Sequence, residues 1–535
     1  MQPRASVDRQ SHGILLLLTA AQLTVAAISS RAFAQDTRAA QNAPQFTVKA
    51  RLVVLDVIVT DASGKPVNGL TAKDFEVFED GKLQQIRSLE GPSYHKLPAA
   101  SDAAGASQDF NPAQPASFGQ SPVTILLLDQ LNTHFADSSF ARRELHDYLA
   151  RQPALLPQPA ALLMLYDDHL KQLQVFTRDR DILLRALAAA PTEYDWKLEL
   201  TGNADLGPLE RLDQSLHAIE EIAQSYARIP GRKNLVWVGG GFPSIDPQAF
   251  ATGDLDKVKE ALRHLTNEML DMRITLYAVD PTSLAPGMTE ITDLSQADFA
   301  QAAGDGMLLN SSTFNEDEDF DNLGPATGGR VVRGMNDIAR QIDSAVSLGA
   351  DFYVLSYTPN TPSEAAAQYR KIKVVCLRPG LTVATRSGYF SGRSEEMQSD
   401  TVRNYDLTTA VESSIPLNGL LVRVVPDAAP GASPATYLVK VGAANLTWSR
   451  KPSGTFTAAV SIMSASLNAR GKMIGHTLRG MIATAKPGTD LRDPARMADF
   501  VFAAQPAPKA SVLRFIVRDS ASGQMGSVDV PVLPR

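Results

Sequence analysis

The stretch Val123-Thr124-Ile125-Leu126-Leu127-Leu128-Asp129-Gln130-Leu131-Asn132-Thr133 decides how the chain is read. Its apolar run is too short to cross a membrane and lacks the alternation of a strand with one wet face. It ends at a carboxylate, the pattern of a buried parallel strand that delivers Asp129 to the carboxyl edge of a sheet. In open α/β sheets that edge is where ligands bind. A polar turn follows, and then Ala141, Leu145, Tyr148 and Leu149 fall at i, i+4, i+7 and i+8 on one apolar helical face. Strand, turn and helix make the first βα unit of a doubly wound domain.

Downstream the alternation continues. Ala161-Leu162-Leu163-Met164-Leu165-Tyr166 and Gln172-Leu173-Gln174-Val175-Phe176 read as a strand pair around a turn holding Asp167 and Asp168. Leu183, Leu187 and Ala190 mark a short helix closed by Pro191, and Leu209, Leu212, Leu216, Ile219, Ala223 and Tyr226 a longer one stopped at Pro230-Gly231. A strand at Asn234–Val238 runs into Gly239-Gly240-Gly241, a helix carries Leu255 to Met269, and Ile274–Asp280 is the next strand. This order predicts a mainly parallel sheet with helices on both faces. The polar insertion 281–326 contains Asn315-Glu316-Asp317-Glu318-Asp319-Phe320-Asp321-Asn322. That run lacks the spaced acids and central glycine of an EF-hand loop and reads as solvated. Thr327-Gly328-Gly329-Arg330 opens a further strand and helix, and strands are expected at 351–359, 369–375 and around Arg386–Phe390.

On the N-terminal side, Arg4 and Arg9 precede an apolar run that closes at Ala32-Phe33-Ala34, so residues 1–34 read as a cleaved signal peptide. Residues 35–46 read as a disordered leader. Leu52–Thr60 and the strand, Asp80-Gly81, strand pattern of Phe75–Leu83 predict a small β module over 47–91, joined by a Pro/Ala/Ser-rich linker, 92–120, to the α/β unit, 121–390 with a C-terminal strand extension. A polar hinge is expected at 391–405 and a β-sandwich-like domain at 406–535.

The 535-residue length favours several domains, and 44% hydrophobic with 20% charged residues is ordinary for folded proteins. A formal net charge of −7 without a long Lys/Arg cluster argues against a nucleic-acid partner. No run after the leader approaches the roughly 20 apolar residues of a spanning helix, so the mature chain is expected not to span a membrane and to lie in the periplasm, at the cell surface or outside the cell. The single cysteine, Cys376, excludes an intrachain disulfide and a cysteine-ligated zinc site.

The strand ending at Asp129, the Asn234–Gly241 strand and glycine run, Tyr277-Ala278-Val279-Asp280-Pro281, Thr327-Gly328-Gly329, Tyr353–Pro359 and Arg386-Ser387-Gly388-Tyr389 together resemble the VWFA-related domain proteins, a secreted bacterial family best represented in acidobacteria. The resemblance covers most of residues 47–390, and Val517–Gly523 is similar to the C-terminal β domain of longer members. It implies a von Willebrand factor type A fold, Rossmann-like and doubly wound, which binds proteins and often does so through a metal. The adhesion site of that fold uses Asp-x-Ser-x-Ser, where hydroxyls and a carboxylate hold Mg²⁺ or another divalent cation. Here Asp129 and Thr133 match, but Leu131 replaces the first hydroxyl residue. Gly239-Gly240-Gly241 stands where many relatives carry a second Asp, and only Thr192 and Thr201 lie where the remaining Thr belongs. With ligands missing, the expectation is a degenerate site holding no tightly bound metal.

No Gly-x-Ser-x-Gly elbow, phosphate loop or His-Glu-x-x-His helix is present, and the eight histidines are scattered. His134 and His169 follow expected strand ends near Asp129 but read as loop histidines. The chain is therefore expected to be a secreted, non-enzymatic protein-binding or adhesion-type protein with an unknown protein partner. A secreted hydrolase with an unrecognised site and a structural part of an envelope assembly remain open.

Overall fold

The computed structural model describes residues 52–97, 119–167, 169–191, 207–241, 254–281, 323–332, 337–360, 369–391, 400–426 and 435–532. The expected signal peptide and leader, most of the 92–120 linker, the acidic run at 315–322, Asp168, Thr192 and Thr201 lie outside these residues. Among the described residues, no helix is long and apolar enough to cross a membrane.

The chain begins with β1 (Val53–Thr60), β2 (Phe75–Glu79), β3 (Lys82–Gln84) and β4 (Ile86–Glu90). The Asp80-Gly81 turn between β2 and β3 has φ of +48° and +76°, as a two-residue hairpin with both central residues left-handed requires. There follow β5 (Val123–Asp129), α1 (Phe135–Arg151), β6 (Leu155–Leu165), β7 (Leu170–Asp179), α2 (Arg180–Ala189), α3 (Pro208–Tyr226), β8 (Lys233–Val238), α4 (Asp254–Asp271), β9 (Ile274–Val279), α5 (Leu323–Ala326), β10 (Arg330–Val332) and α6 (Ile338–Leu348). The order in the sheet is β10-β9-β8-β5-β6-β7, parallel throughout except for the β6–β7 hairpin.

β5 lies inside this sheet, and all its residues are buried. Val123, Ile125 and Leu127 pack towards α3 and α4, whereas Leu126 and Leu128 pack towards α1, α2 and α6. Cover on both faces is why the strand is apolar without alternation.

After α6 come β11 (Tyr353–Tyr357), β12 (Tyr369–Cys376), β13 (Thr382–Ala384) and β14 (Gly388–Phe390). Their placement differs from the expectation that 353–390 would extend the α/β unit. They pair instead with the N-terminal strands, giving two four-stranded sheets, β13-β1-β11-β4 and β14-β12-β2-β3. Alternate side chains of these strands face inward and close the core between the sheets: Leu55, Val57, Phe75 and Val77 pack with Tyr353, Leu355, Tyr357 and Val374. The reason is the unmet ladder of the first segment. β1 has no partner among β2–β4, so it takes β11 on one side and β13 on the other. The α/β layer is thus inserted between two halves of a β-sandwich.

Buried polar contacts fix that junction. Asp56 on β1 accepts from Arg273 at 2.5 Å and lies 3.9 Å from Arg232. Burial alone would raise the Asp56 carboxyl, but the two guanidinium groups outweigh it and hold it below its ordinary value. Arg232 also donates to Asn234 at 2.9 Å and Tyr277 at 3.0 Å, and Leu270 of α4 enters the sandwich core.

The expected hinge at 391–405 is also corrected in part, since α7 (Asp400–Glu412) covers its end; residues 392–399 lie outside the description. Val402, Leu407, Ala410 and Val411 are buried, as are Asp406 and Thr409. Beyond it lie β15 (Val422–Pro426), β16 (Ala435–Gly442), β17 (Ser449–Arg450), β18 (Phe456–Leu467), β19 (Met473–Ala485), β20 (Met497–Ala504), β21 (Val512–Asp519) and β22 (Met525–Pro531). They form the sheets β15-β16-β20 and β17-β18-β21-β22, with β19 added beside β18. Val439, Val460, Ile462, Phe502, Phe515 and Val517 fill the space between the two. This second sandwich rests on α3, where the backbone amides of Ser414 and Ile415 donate to Glu221 at 2.7 and 2.8 Å.

Candidate functional site

The carboxyl end of β5 brings Asp129 and Thr133 together with the glycine bend after β8. Asp129 is fully buried. Its Oδ1 accepts from the Asn132 backbone amide at 3.0 Å, and its Oδ2 accepts from the Trp237 indole Nε1 at 3.0 Å and more distantly from Asn132 Nδ2 at 3.5 Å. Asn132 Nδ2 also donates to Ser215 on α3 at 3.0 Å. Thr133 Oγ1 accepts from the Gly240 amide at 2.9 Å. A Cβ on Gly239 would sit 2.4 Å from Asp129 Cβ, and one on Gly240 would sit 2.3 Å from the Asn132 carbonyl, so only glycine lets this bend cross so closely.

These contacts test whether a divalent cation fits at Asp129. A hard cation needs several convergent oxygens. Around this carboxylate stand N–H donors instead, and Leu131 turns into the core at 3% exposure. Among the described residues, those around Asp129 do not fit such an ion. They fit a carboxylate that organises a turn by accepting hydrogen bonds. Burial raises the Asp129 carboxyl to about 6, and the Asn132 and Trp237 hydrogen bonds restrain the rise. His134 is exposed at the N-cap of α1, and the His169 ring stacks on Tyr166 at 5.0 Å.

Asp129 thereby ties the stability of the fold to pH. With a folded value near 6 and an unfolded one near 3.8, the native state holds the extra proton between them, so this group's stability contribution falls as pH rises from about 4 to 6. The difference amounts to about 3 kcal/mol across the window. Asp129→Asn should remove that dependence, seen as a changed slope of melting temperature against pH relative to wild type. Trp237→Phe should cost about 1.5–3 kcal/mol at pH 7, where the lost donor faced a charged acceptor.

A second group of functional residue types lies away from the crest, between α3, α4 and α7. One potential ligand atom from each of Glu220, His264 and Glu268 lies within 4.8 Å of the others, and all three residues are buried. This group could hold a metal ion. His264 Nε2 is 3.2 Å from Asp406 Oδ1, Arg518 donates from Nε to Asp406 Oδ2, and Thr409 Oγ1 donates to Glu220 Oε2 at 3.0 Å. Gln224 Nε2 donates to Glu268 Oε1, while Gln224 Oε1 accepts from the Met525 amide at 2.9 Å. Burial, followed by the charges of Asp406 and Glu268, raises the Glu220 carboxyl well above its ordinary value. Burial pushes Asp406 the same way, but the His264 hydrogen bond and Arg518 outweigh it and leave Asp406 lowered.

Sequence reasoning missed this group. The available signal was the pair of i, i+4 polar spacings, Glu220/Gln224 and His264/Glu268, in the C-terminal halves of two helices.

Comparison with known proteins adds little. No family profile matches the chain, and no curated protein matches it. Among solved structures, the VWA domain of SpRpn10 is 12% identical, with a TM-score of 0.16, over 34% of this chain and 94% of that one. An endonuclease/exonuclease/phosphatase from Beutenbergia cavernae DSM 12333 is 10% identical, with a TM-score of 0.09, over 39% of this chain and 42% of that one. The likeness to a VWA domain is weak, and scores this low carry no functional argument.

Proposed function

We propose that this is a secreted, non-enzymatic binding protein that engages a protein partner through the loops at the carboxyl edge of its parallel sheet, without a tightly held cation at Asp129. The observation that carries the reading is the closure of Asp129. The carboxylate at the sheet's natural binding edge has no exposed face, and both its oxygens already accept hydrogen bonds. A group so enclosed organises the loops above it and leaves contact to their outer residues, among them exposed His134 and Ala136.

The test uses the tethered mature chain and envelope proteins from its own source. The expected result is a stoichiometric complex whose partner is recovered with unchanged mass. Replacing His134 and Ala136 together by aspartate should weaken the complex at least tenfold, about 1.4 kcal/mol. A partner recovered cleaved or otherwise altered, with the alteration abolished by Asp129→Asn, would overturn the reading. So would a complex that requires a divalent cation and loses that requirement in Asp129→Asn.

A further inference from the structure

We propose that Glu220, His264 and Glu268 form a closed site for one divalent transition-metal cation of the zinc type, which braces α3 against α4 where α7 and the C-terminal sandwich meet them. Its geometry is that of a prepared ligand set. Each residue has one polar atom fixed by a neighbour: Thr409 donates to Glu220 Oε2, Gln224 donates to Glu268 Oε1, and Asp406 faces His264 Nε2. Glu220 Oε1, on a residue with no exposed surface, has no hydrogen-bond partner and is the orphan acceptor that a cation would satisfy.

The histidine shows the same preparation. A carboxylate on one ring nitrogen fixes the tautomer as Nε2–H and leaves Nδ1 as the basic ligand atom, the pattern by which carboxylates orient metal-bound imidazoles. Asp406 is therefore a positioning residue, and Arg518 holds Asp406 in turn.

Charge argues in the same direction. Glu220, Glu268 and Asp406 place three carboxyl groups in a region sealed from water, where His264 and Arg518 contact Asp406. Buried carboxylates are retained when paired or metal-bound. One imidazole with carboxylate oxygens favours zinc, manganese or iron(II) over calcium and magnesium, which prefer oxygen alone. Burial of every ligand closes the site to substrate and so marks it as structural, with a second carboxylate oxygen of Glu220 or Glu268 to complete zinc's four positions. The ligands link α3 to α4, and Asp406, Thr409 and Arg518, from α7 and β21, hold them or one another from outside.

The test is metal content and titration on the full mature chain. After chelation and dialysis, Zn²⁺ and Co²⁺ are added alone and followed by calorimetry, melting temperature and, for Co²⁺, visible absorption. The expected result is one equivalent bound, a higher melting temperature, and Co²⁺ bands of a mixed nitrogen and oxygen site. Glu220→Gln and His264→Gln should weaken binding by more than 100-fold, Asp406→Asn by about 10–100-fold, and Asp129→Asn not at all. Binding unchanged in Glu220→Gln, or lost in Asp129→Asn, would overturn the proposal. If the ligand variants do not fold, the wild type decides: Co²⁺ bands with a stoichiometry of one support the site, and their absence overturns it.

Discussion

Arg518→Met should lower the stability of the full chain by about 3–5 kcal/mol, the usual cost of breaking a buried ion pair by removing one partner. Arg518 and Asp406 side chains are 1% and 2% exposed, so water cannot replace the guanidinium. Its loss leaves the buried Asp406 carboxylate beside His264 without its guanidinium partner. The cost should therefore fall partly on the His264 contact, which is left beside an uncompensated carboxylate. Urea denaturation should show the midpoint moving down. The double substitution Arg518→Met with Asp406→Asn should recover part of the loss, because the uncompensated charge is gone as well. A single-variant cost below about 1 kcal/mol, the range of surface pairs, would show that water reaches this contact.

The same cluster shows where sequence reading stops. β5 was legible because both its faces are covered by helices, so composition alone betrays its position. The ends of α3 and α4 were not. Residues 218–226 and 264–270 are buried all round, and a face analysis sends Glu220, Gln224, His264 and Glu268 to solvent. α7 failed to announce itself for a related reason: its buried side includes Asp406 and Thr409, so no apolar stripe appears. β19 stayed hidden because Met473, Ile474, Leu478 and Ile482 are exposed, leaving little difference between its faces. Asp129 and Thr133 were found at the sheet crest as expected. The Trp237 donor was not, because it lies 108 residues away along the chain. The first sandwich was the deepest miss, since Val53 pairs with Tyr357 and no local pattern reports a partner that distant.

That long-range pairing sets the last prediction. Residues 47–97 expressed alone should be unfolded, whereas the same segment joined to 350–391 through a short Gly/Ser linker should fold as a β-sandwich. In isolation the first segment keeps the short β2–β3 ladder, Val77 to Glu79 against Lys82 to Gln84, too little for an independent sheet. The returning segment supplies β11 and β13 to β1, and β12 to β2. It also brings Tyr357 and Tyr389, whose hydroxyls donate to buried Glu79 at 2.6 and 3.1 Å. A short linker suffices because the ends of the insertion meet: Lys96 Nζ lies 3.2 Å from Asp351, and the His95 ring stacks on Phe352 at 4.7 Å. Excision removes Leu270 from the sandwich core, at about 1.5–3 kcal/mol, so the joined protein should be folded but weaker. Far-UV circular dichroism and amide dispersion distinguish the two fragments. In a full-length chain truncated after residue 349, β1 amides should exchange freely with solvent. Protected β1 amides in that truncation would mean that the first segment folds without the strands that return to it.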